Sequence, residues 1–357
     1  MSLFVGVDVG GTTSTIAIGN ENREVLCISE QFPTRSADGP DATIEDIVGQ
    51  ILIELDARKL SAKDVQAISL ATPGPATADG VLLSTPNLSA KAWNRCPVRL
   101  LLEQAFAKHA TGVPVAYIGD GQAAALGEYA IRTQQMHWAD APDETTRAIE
   151  SQGAEIHSLF MVAVGTGLGG GEVRDALPIC GSKGRAGHAG HLMLPATAFR
   201  YEHDQQLKVG NSYCTSESAI SLTALTHQLG YRLSLDQWRD HSLNREEGSV
   251  RDKAKKLREL AATGDPLALE LFDDQAHALG IALLMINYIG DYDLLVVGGG
   301  VCDLSPELRQ RYIEGAERAY YEHALDGFRE YGGICFSVCG DRASVIGSLD
   351  HAYRESP

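Results

Sequence analysis

The chain has no cysteine pattern that would make a disulfide framework. Seven cysteines are scattered at 27, 96, 180, 214, 302, 335 and 339, an odd number with no CxxC pair. Reduced thiols in a cytoplasmic protein are the simple reading of such usage. Long apolar runs are missing as well. The best one, IALLMIN at 281–287, is too short to cross a bilayer. The N-terminus shows no basic segment leading into a long apolar stretch, so no signal peptide is expected. Positive charge is scarce: 30 Lys and Arg face 47 Asp and Glu, leaving a net charge of −17 over 357 residues. Nucleic acid and an anionic membrane both need a basic face, so neither is expected as a partner. A phosphate-bearing ligand would need local amides or a metal ion against that field. There is no GxxxxGK[ST] loop, and no low-complexity segment or long linker.

What is present is ordinary in amount and regular in pattern. An apolar share of 44% can fill a sizeable core, and the length suggests about two domains. Residues 3–9 read as a buried strand and TSTIAIGN (13–20) as its partner; VLCISEQFP (25–33) is a third strand after the turn NENRE. The spacing of Ile44, Ile47, Val48, Ile51, Leu52 and Leu55 predicts a helix over 43–60. VQAISLATPGP (65–75) is a short strand running into a Pro-Gly loop, and VPVAYIGD (113–120) a strand followed by a helix over 121–131. The polar, acidic stretch 136–157 reads as a surface excursion. Then SLFMVAVGTGLGGGEVRD (158–175) repeats the plan of SLFVGVDVGGTTSTIAIGN (2–20): Ser-Leu-Phe, an apolar strand, a glycine turn and a second strand. This reads as internal duplication, giving related lobes of mixed α/β class. Helices are predicted over 217–230, 250–264 and 265–290, and DLLVVGGGV (293–301) is a buried strand ending in glycines.

The glycine turns carry the chemistry. Asp8, Gly10, Gly11, Thr12 and Thr13 stand at the tip of the first hairpin, and Gly165, Thr166, Gly167 and Gly169 at the second. Packing gains nothing from them there. Glycine lets a ligand approach backbone N–H groups, and successive N–H groups in a tight turn make a concave anion site. GTGLGG also matches GxGxxG, but the dinucleotide fingerprint needs a helix after the turn and an acidic residue about 20 positions on. GEVRDALPI follows here and reads as strand, so a phosphate would be held by the hairpin tips instead.

Along almost the whole chain a series of segments resembles, in order, the motifs of the ROK family of sugar kinases (repressors, open reading frames and kinases), within the actin/hexokinase/Hsp70-like superfamily. They are DVGGTT (8–13), ATPGPATADGVLLSTPNLSAKAW (71–93), YIGDGQAAALGE (117–128), VAVGTGLGGGEV (162–173), GRAGHAGHLML (184–194), DLLVVGGGV and GDRASVIGSL (340–349). The resemblance implies a duplicated ribonuclease-H-like two-lobe fold, the actin-like ATPase domain, with a cleft between lobes. One lobe would hold 1–119 plus 343–357 and the other 120–342. Asp120 would be the catalytic base that accepts the proton of a sugar hydroxyl attacking the γ-phosphate of ATP; its ordinary alternative is a cap for the helix that follows. Asp8 would orient Mg²⁺, the amides of Gly10 to Thr13 and of Thr166 to Gly169 would hold phosphates, and Gly299 and Gly300 would let the adenosine lie against backbone. Asn87, Gly119, His188, His191 and Glu217 would line the sugar site.

Departures from the family pattern fall in that sugar site. Gly119 stands where the family has Asn, and His188 where it has Glu, so activity on unmodified glucose is expected to be weak. With an ordinary histidine pKa at 188, substrate KM would change between about pH 5.5 and 7.5. The family's zinc pattern is broken: in LKVGNSYCTSE (207–217) only Cys214 matches, with Leu207 and Val209 at the thiolate positions, and Glu217 fits only if one residue is inserted after Cys214. No metal-ligating residue is therefore assigned. The leading reading is ATP-dependent phosphorylation of a hexose or N-acetylhexosamine in the cytoplasm, with sugar and ATP–Mg²⁺ as partners and the assembly open between monomer and homodimer. The rival is a non-catalytic sugar-binding sensor on the same fold. A repressor ranks lower because the first strand begins at about residue 3, where the family's repressors carry a DNA-binding domain ahead of it. A polyphosphate-dependent kinase ranks low for want of a basic track.

Overall fold

The computed structural model describes residues 1–83, 85, 88, 89, 91–150 and 155–354. The chain opens with strands β1 (Leu3–Val9) and β2 (Thr13–Asn20), antiparallel with Leu3 opposite Asn20 and Val9 opposite Ser14. The predicted third strand is split into β3 (Val25–Ile28) and β4 (Phe32–Pro33). The break has a local cause: the Ile16 N–H donates to the Ser29 hydroxyl at 3.0 Å, so a side chain replaces a backbone carbonyl in the ladder. Helix α1 (Pro40–Ala57) begins earlier than its apolar spacing implied, because Pro40 sits in the first turn, where its fixed φ suits a helix start. Its buried face is Ile44, Ile47, Val48, Ile51 and Leu55. Strand β5 (Val65–Thr72) follows, then α2 (Val98–Phe106), a helix that the sequence reading missed, β6 (Val115–Gly119) and α3 (Asp120–Arg132).

The described part of the polar excursion contains a short helix, α4 (Asp143–Glu150), pinned where the Thr145 hydroxyl donates to the Val338 carbonyl at 2.6 Å. The second glycine hairpin is β7 (Ser158–Val164) and β8 (Leu168–Arg174), followed by β9 (Leu177–Pro178). The helix expected over 217–230 is two, α5 (Ser216–Ile220) and α6 (Leu222–Arg232); Ser221 divides them by leaving helical ψ and capping the Ala224 N–H with its hydroxyl at 3.1 Å. After α7 (Ser242–Arg245), the helix expected over 250–264 divides at Lys256 into α8 (Val250–Lys255) and α9 (Leu257–Ala262). Helix α10 (Pro266–Gly290) is capped by Asp265, and β10 (Leu294–Gly299), α11 (Pro306–His323), β11 (Ile334–Phe336) and α12 (Ala343–Arg354) complete the chain.

One sheet has the order β3-β2-β1-β5-β6, with β4 added beside β2, and the other the order β11-β10-β7-β8-β9. Read from the third strand of each, the path is the same: third, second, first, fourth, fifth. This shared order bears out the duplication inferred from the two glycine hairpins. The fold is the duplicated two-lobe α/β plan expected from the resemblance. The chain forms two compact units, one of residues 1–159, 171–187 and 338–357, the other of residues 160–170 and 188–337. That division keeps α3 with the N-terminal strands, whereas the sequence reading ended the first lobe at residue 119. The reason lies in the packing of α3. Glu128 is fully buried, pairs with Arg132 at 2.6 Å and accepts the Val338 and Cys339 N–H groups, which binds the helix to the residues just ahead of α12. Each unit has its own apolar core, one around Ile47, Ile68, Trp93 and Phe106, the other around Leu229, Leu279, Leu295 and Tyr312. Among the described residues, no helix is long and apolar enough to cross a membrane.

Candidate active site

In the first unit, strand register brings the acidic groups together. Asp8 is the last residue but one of β1, whose neighbour β5 runs parallel with Ala71 opposite Asp8; β6 runs parallel to β5 with Gly119 opposite Thr72. Asp8 and Asp120 therefore emerge at the carboxyl ends of strands that flank β5, the place where open α/β sheets bind ligands. Asp8 accepts a hydrogen bond from the Ser344 hydroxyl at 2.7 Å. Burial raises its pKa to about 6, with the nearby Asp341 charge adding to the rise and the Ser344 bond opposing it. Asp120 is open to solvent by surface area, yet enough protein surrounds its carboxylate to desolvate it. Desolvation first and the Asp8 charge second raise its pKa to about 7. As for the capping alternative, Asp120 is the first residue of α3 rather than its cap, and its Oδ1 accepts the Gly121 N–H at 2.7 Å.

The first glycine turn is tight, with the Gly10 N–H donating to the Thr13 carbonyl at 2.9 Å. The Gly10 carbonyl accepts from the Thr34 hydroxyl, Gly11 from Ser36 and Thr12 from the Thr34 N–H. With the carbonyls taken, the amides of Gly11 and Thr12 have no protein partner among the described residues. The second turn is built alike in the other unit. The Gly165 N–H donates to the Gly167 carbonyl at 2.9 Å, while α6 takes the Gly165 and Thr166 carbonyls through the Leu222 N–H and the Thr223 hydroxyl. The amides of Thr166 and Gly167 are left without a protein partner among the described residues. Gly169 is not in this turn; it lies inside β8.

The expected sugar-site residues are distributed unevenly. Asn87 lies outside the described residues. Gly119 does not leave open space in place of a side chain, because a Cβ there would sit 3.1 Å from Gln122 Oε1. Gln122, which the sequence reading passed over, accepts the Gly119 N–H at 3.3 Å and donates to the Ala186 carbonyl at 2.9 Å, so its carboxamide fastens the start of α3 to the loop ahead of His188. In the second unit, His188 and His191 lie with ring centroids 6.2 Å apart. Desolvation, then the His191 charge, lower the His188 pKa, so the expected titration range moves down. Glu217 reaches the second turn: its Oε2 accepts the Leu168 N–H at 2.8 Å, and a Cβ at Gly167 would lie 2.5 Å from the same oxygen. Glycine at 167 is what lets the carboxylate brace the turn. The second carboxylate oxygen of Glu217 has no protein partner among the described residues and stays available to a ligand.

Gly299 ends β10 with φ +79, and a Cβ there would lie 2.5 Å from the Val164 carbonyl oxygen. Both a left-handed φ and the close approach of β7 require glycine at this position. Thus Gly299 and Gly300 abut the last residue before the second turn. The Cys214 thiol lies near the Gln205 carbonyl, with S···O at 3.7 Å. Among the described residues there is no group of three or more His, Cys, Asp or Glu side chains that could hold a metal ion. The oxygen pair Asp8 and Asp120 is a different case. Two carboxylates, one raising the pKa of the other, suit a hard divalent cation that takes one or two carboxylates and fills its remaining sites with water and phosphate, as Mg²⁺ does.

The strand-end carboxylates of the first unit and a glycine turn in each unit sit on an α/β fold of duplicated plan. The chain belongs to the ROK family, whose model matches residues 4–139 and 146–355. It is similar to a glucokinase of Halalkalibacterium halodurans, 26% identical over 353 residues that cover 96% of this chain and 93% of that one. It is also similar to an N-acetylmannosamine kinase of Shigella boydii, 24% identical over 297 residues, 83% of this chain and 82% of that one. Its fold matches the crystal structure of a ROK family glucokinase from Streptomyces griseus in complex with glucose and AMPPNP, with TM-score 0.71, 23% identity and 99% and 100% of the two chains covered.

Proposed function

We propose that this ROK-family protein is a carbohydrate kinase that transfers the γ-phosphoryl group of ATP to a hydroxyl of a hexose or N-acetylhexosamine. The observation that carries the reading is Asp120: a strand-end carboxylate whose pKa is raised to about 7 beside a second carboxylate. A general base works best with a pKa near the operating pH, and a carboxylate that serves only to cap a helix has no need of one. Asp120 accepts the proton of the attacking sugar hydroxyl. The unpartnered amides of Gly11, Thr12, Thr166 and Gly167 hold phosphate oxygens. They provide the positioning and charge neutralisation that phosphoryl transfer mostly asks for, on a chain with no surplus of positive charge. Mg²⁺, held by Asp8, supplies neutralisation of the charge on the phosphoryl oxygens when it is bound. His188, His191 and the free oxygen of Glu217 contact sugar hydroxyls. The glucokinase and N-acetylmannosamine kinase relatives support this substrate class.

The test is a panel of hexoses and N-acetylhexosamines with ATP–Mg²⁺, read by ADP release. Turnover with one or more sugars, absent with water alone, is the expected result. ATP and sugar binding without turnover on any sugar would favour the sensor reading and overturn this one. His188 tunes the choice of sugar. A neutral imidazole offers one donor and one acceptor but no charge-assisted bond. His188→Glu is therefore expected to lower KM for glucose about tenfold, the size of one charge-assisted hydrogen bond. Because burial and His191 keep His188 neutral, any pH dependence of KM should lie below the usual histidine range rather than across neutrality. A micromolar KM for glucose in the unsubstituted protein, unchanged by the substitution, would show that this position does not select the sugar.

A further inference from the structure

We propose that Arg258, on α9, is the residue on which the base of the nucleotide stacks, a contact that rests on the kinase reading above. A Cβ at Gly300 would collide with Arg258 Nη2 and lie 3.6 Å from its Cζ. The guanidinium therefore rests over the backbone of the turn that follows β10, and glycine at 300 is what lets it lie there. Its Nη1 pairs with Asp303 Oδ2 at 3.1 Å, and both side chains are exposed, at 46% and 72%. An exposed ion pair of this kind adds little to stability, about 0–1 kcal/mol, so the fold does not need the guanidinium at this spot.

The surroundings say what the ligand is. Gly299 abuts the Val164 carbonyl, and the turn immediately after Val164 carries the unpartnered amides of Thr166 and Gly167. One continuous patch of the second unit thus offers amides for an anion and, past a strip of bare glycine backbone, a planar cation. A phosphate at the guanidinium would meet the Asp303 carboxylate as well. That carboxylate pairs with one edge of the guanidinium and repels an anion, while nearly half of the Arg258 side chain stays exposed to a ligand. Guanidinium faces stack on aromatic rings. The ligand that satisfies both ends is a nucleotide, phosphates at the turn and base against Arg258.

The experiment measures calorimetric binding of ADP, adenosine and inorganic tripolyphosphate to the full-length protein and to its Arg258→Ala and Arg258→Lys variants. Arg258 is exposed, so neither change should impair folding. In Arg258→Ala, ADP and adenosine should both weaken by about three- to thirtyfold, the range of a cation–π contact, while tripolyphosphate keeps its affinity. Lysine, charged but not planar, should restore only part of the loss, and in turnover the loss should fall on KM for ATP rather than on KM for the sugar. Equal weakening of tripolyphosphate and ADP would make Arg258 a phosphate contact and overturn the proposal, as would unchanged ADP binding in an active kinase. Failure of the unsubstituted protein to bind any of the three would overturn the kinase reading itself.

Discussion

Asp120→Asn is expected to reduce turnover by at least about 100-fold, the scale of a lost general base, while ATP binding persists. The asparagine keeps the size of the side chain and can still accept the Gly121 N–H, but it cannot take a proton from an attacking hydroxyl. In the unsubstituted enzyme, base catalysis requires the ionised form. With the pKa raised to about 7, activity should climb as pH rises through neutrality and fall away on the acid side. The same shift fixes the direction of the stability change. A carboxylate whose folded pKa lies above its unfolded value binds more protons when folded, so stability falls as pH rises from the unfolded to the folded pKa. Above about pH 7 the charge opposes the fold, and Asp120→Asn removes it. The variant should melt no lower than the parent at pH 8 while losing activity, a pairing that misfolding would not produce. Near wild-type turnover in Asp120→Asn would remove the base assignment.

The longer strands were legible in the sequence because each is a short apolar run closed by a turn signal, and the β1–β2 and β7–β8 hairpins appear where those runs lie, whereas β9 and β11, of two and three residues, are too short to carry such a run. Helices with one long apolar stripe, α1 and α10, were legible for the same reason. Two of the failures share a cause: local bonds interrupted a pattern that periodicity alone carries through. The Ser221 hydroxyl caps α6 in the middle of a continuous helical pattern, and the Ser29 hydroxyl interrupts a continuous strand pattern. Neither serine alters the apolar spacing, so spacing could not show the break. Helix α2 buries only Val98, Leu102 and Phe106, too few positions to stand out beside a proline.

The site was legible as motifs and much less so as contacts. Asp8, Asp120 and both glycine turns could be named from residue type and position. What holds the two carboxylates could not, because Ser344 and Gln122 come from segments that carry no phosphate motif of their own. Gly119 shows the limit most clearly. An absent side chain reads as vacant space, but Gln122, on the next turn of the chain, folds back into it. A Cβ at 119 would press on the Gln122 carboxamide oxygen, so an Asn there requires Gln122 to shift as well.

Asp8→Asn should cost about 10–100-fold in kcat/KM, the range for groups that orient a metal or its ligands, and it should also move the pH profile. The Asp8 charge is one of the two causes that raise the Asp120 pKa, the other being desolvation. An asparagine at 8 keeps the acceptor for the Ser344 hydroxyl but removes the charge, so Asp120 ionises more easily. The acid limb of the remaining activity should therefore shift to lower pH, and the variant should need more Mg²⁺ to reach its maximal rate. A structural role for Asp8 would lower activity evenly across pH and leave the Mg²⁺ requirement unchanged. A variant with reduced activity, an unmoved acid limb and an unmoved Mg²⁺ requirement would separate the two carboxylates. It would leave Asp120 as the base but take Asp8 out of the phosphoryl-transfer site.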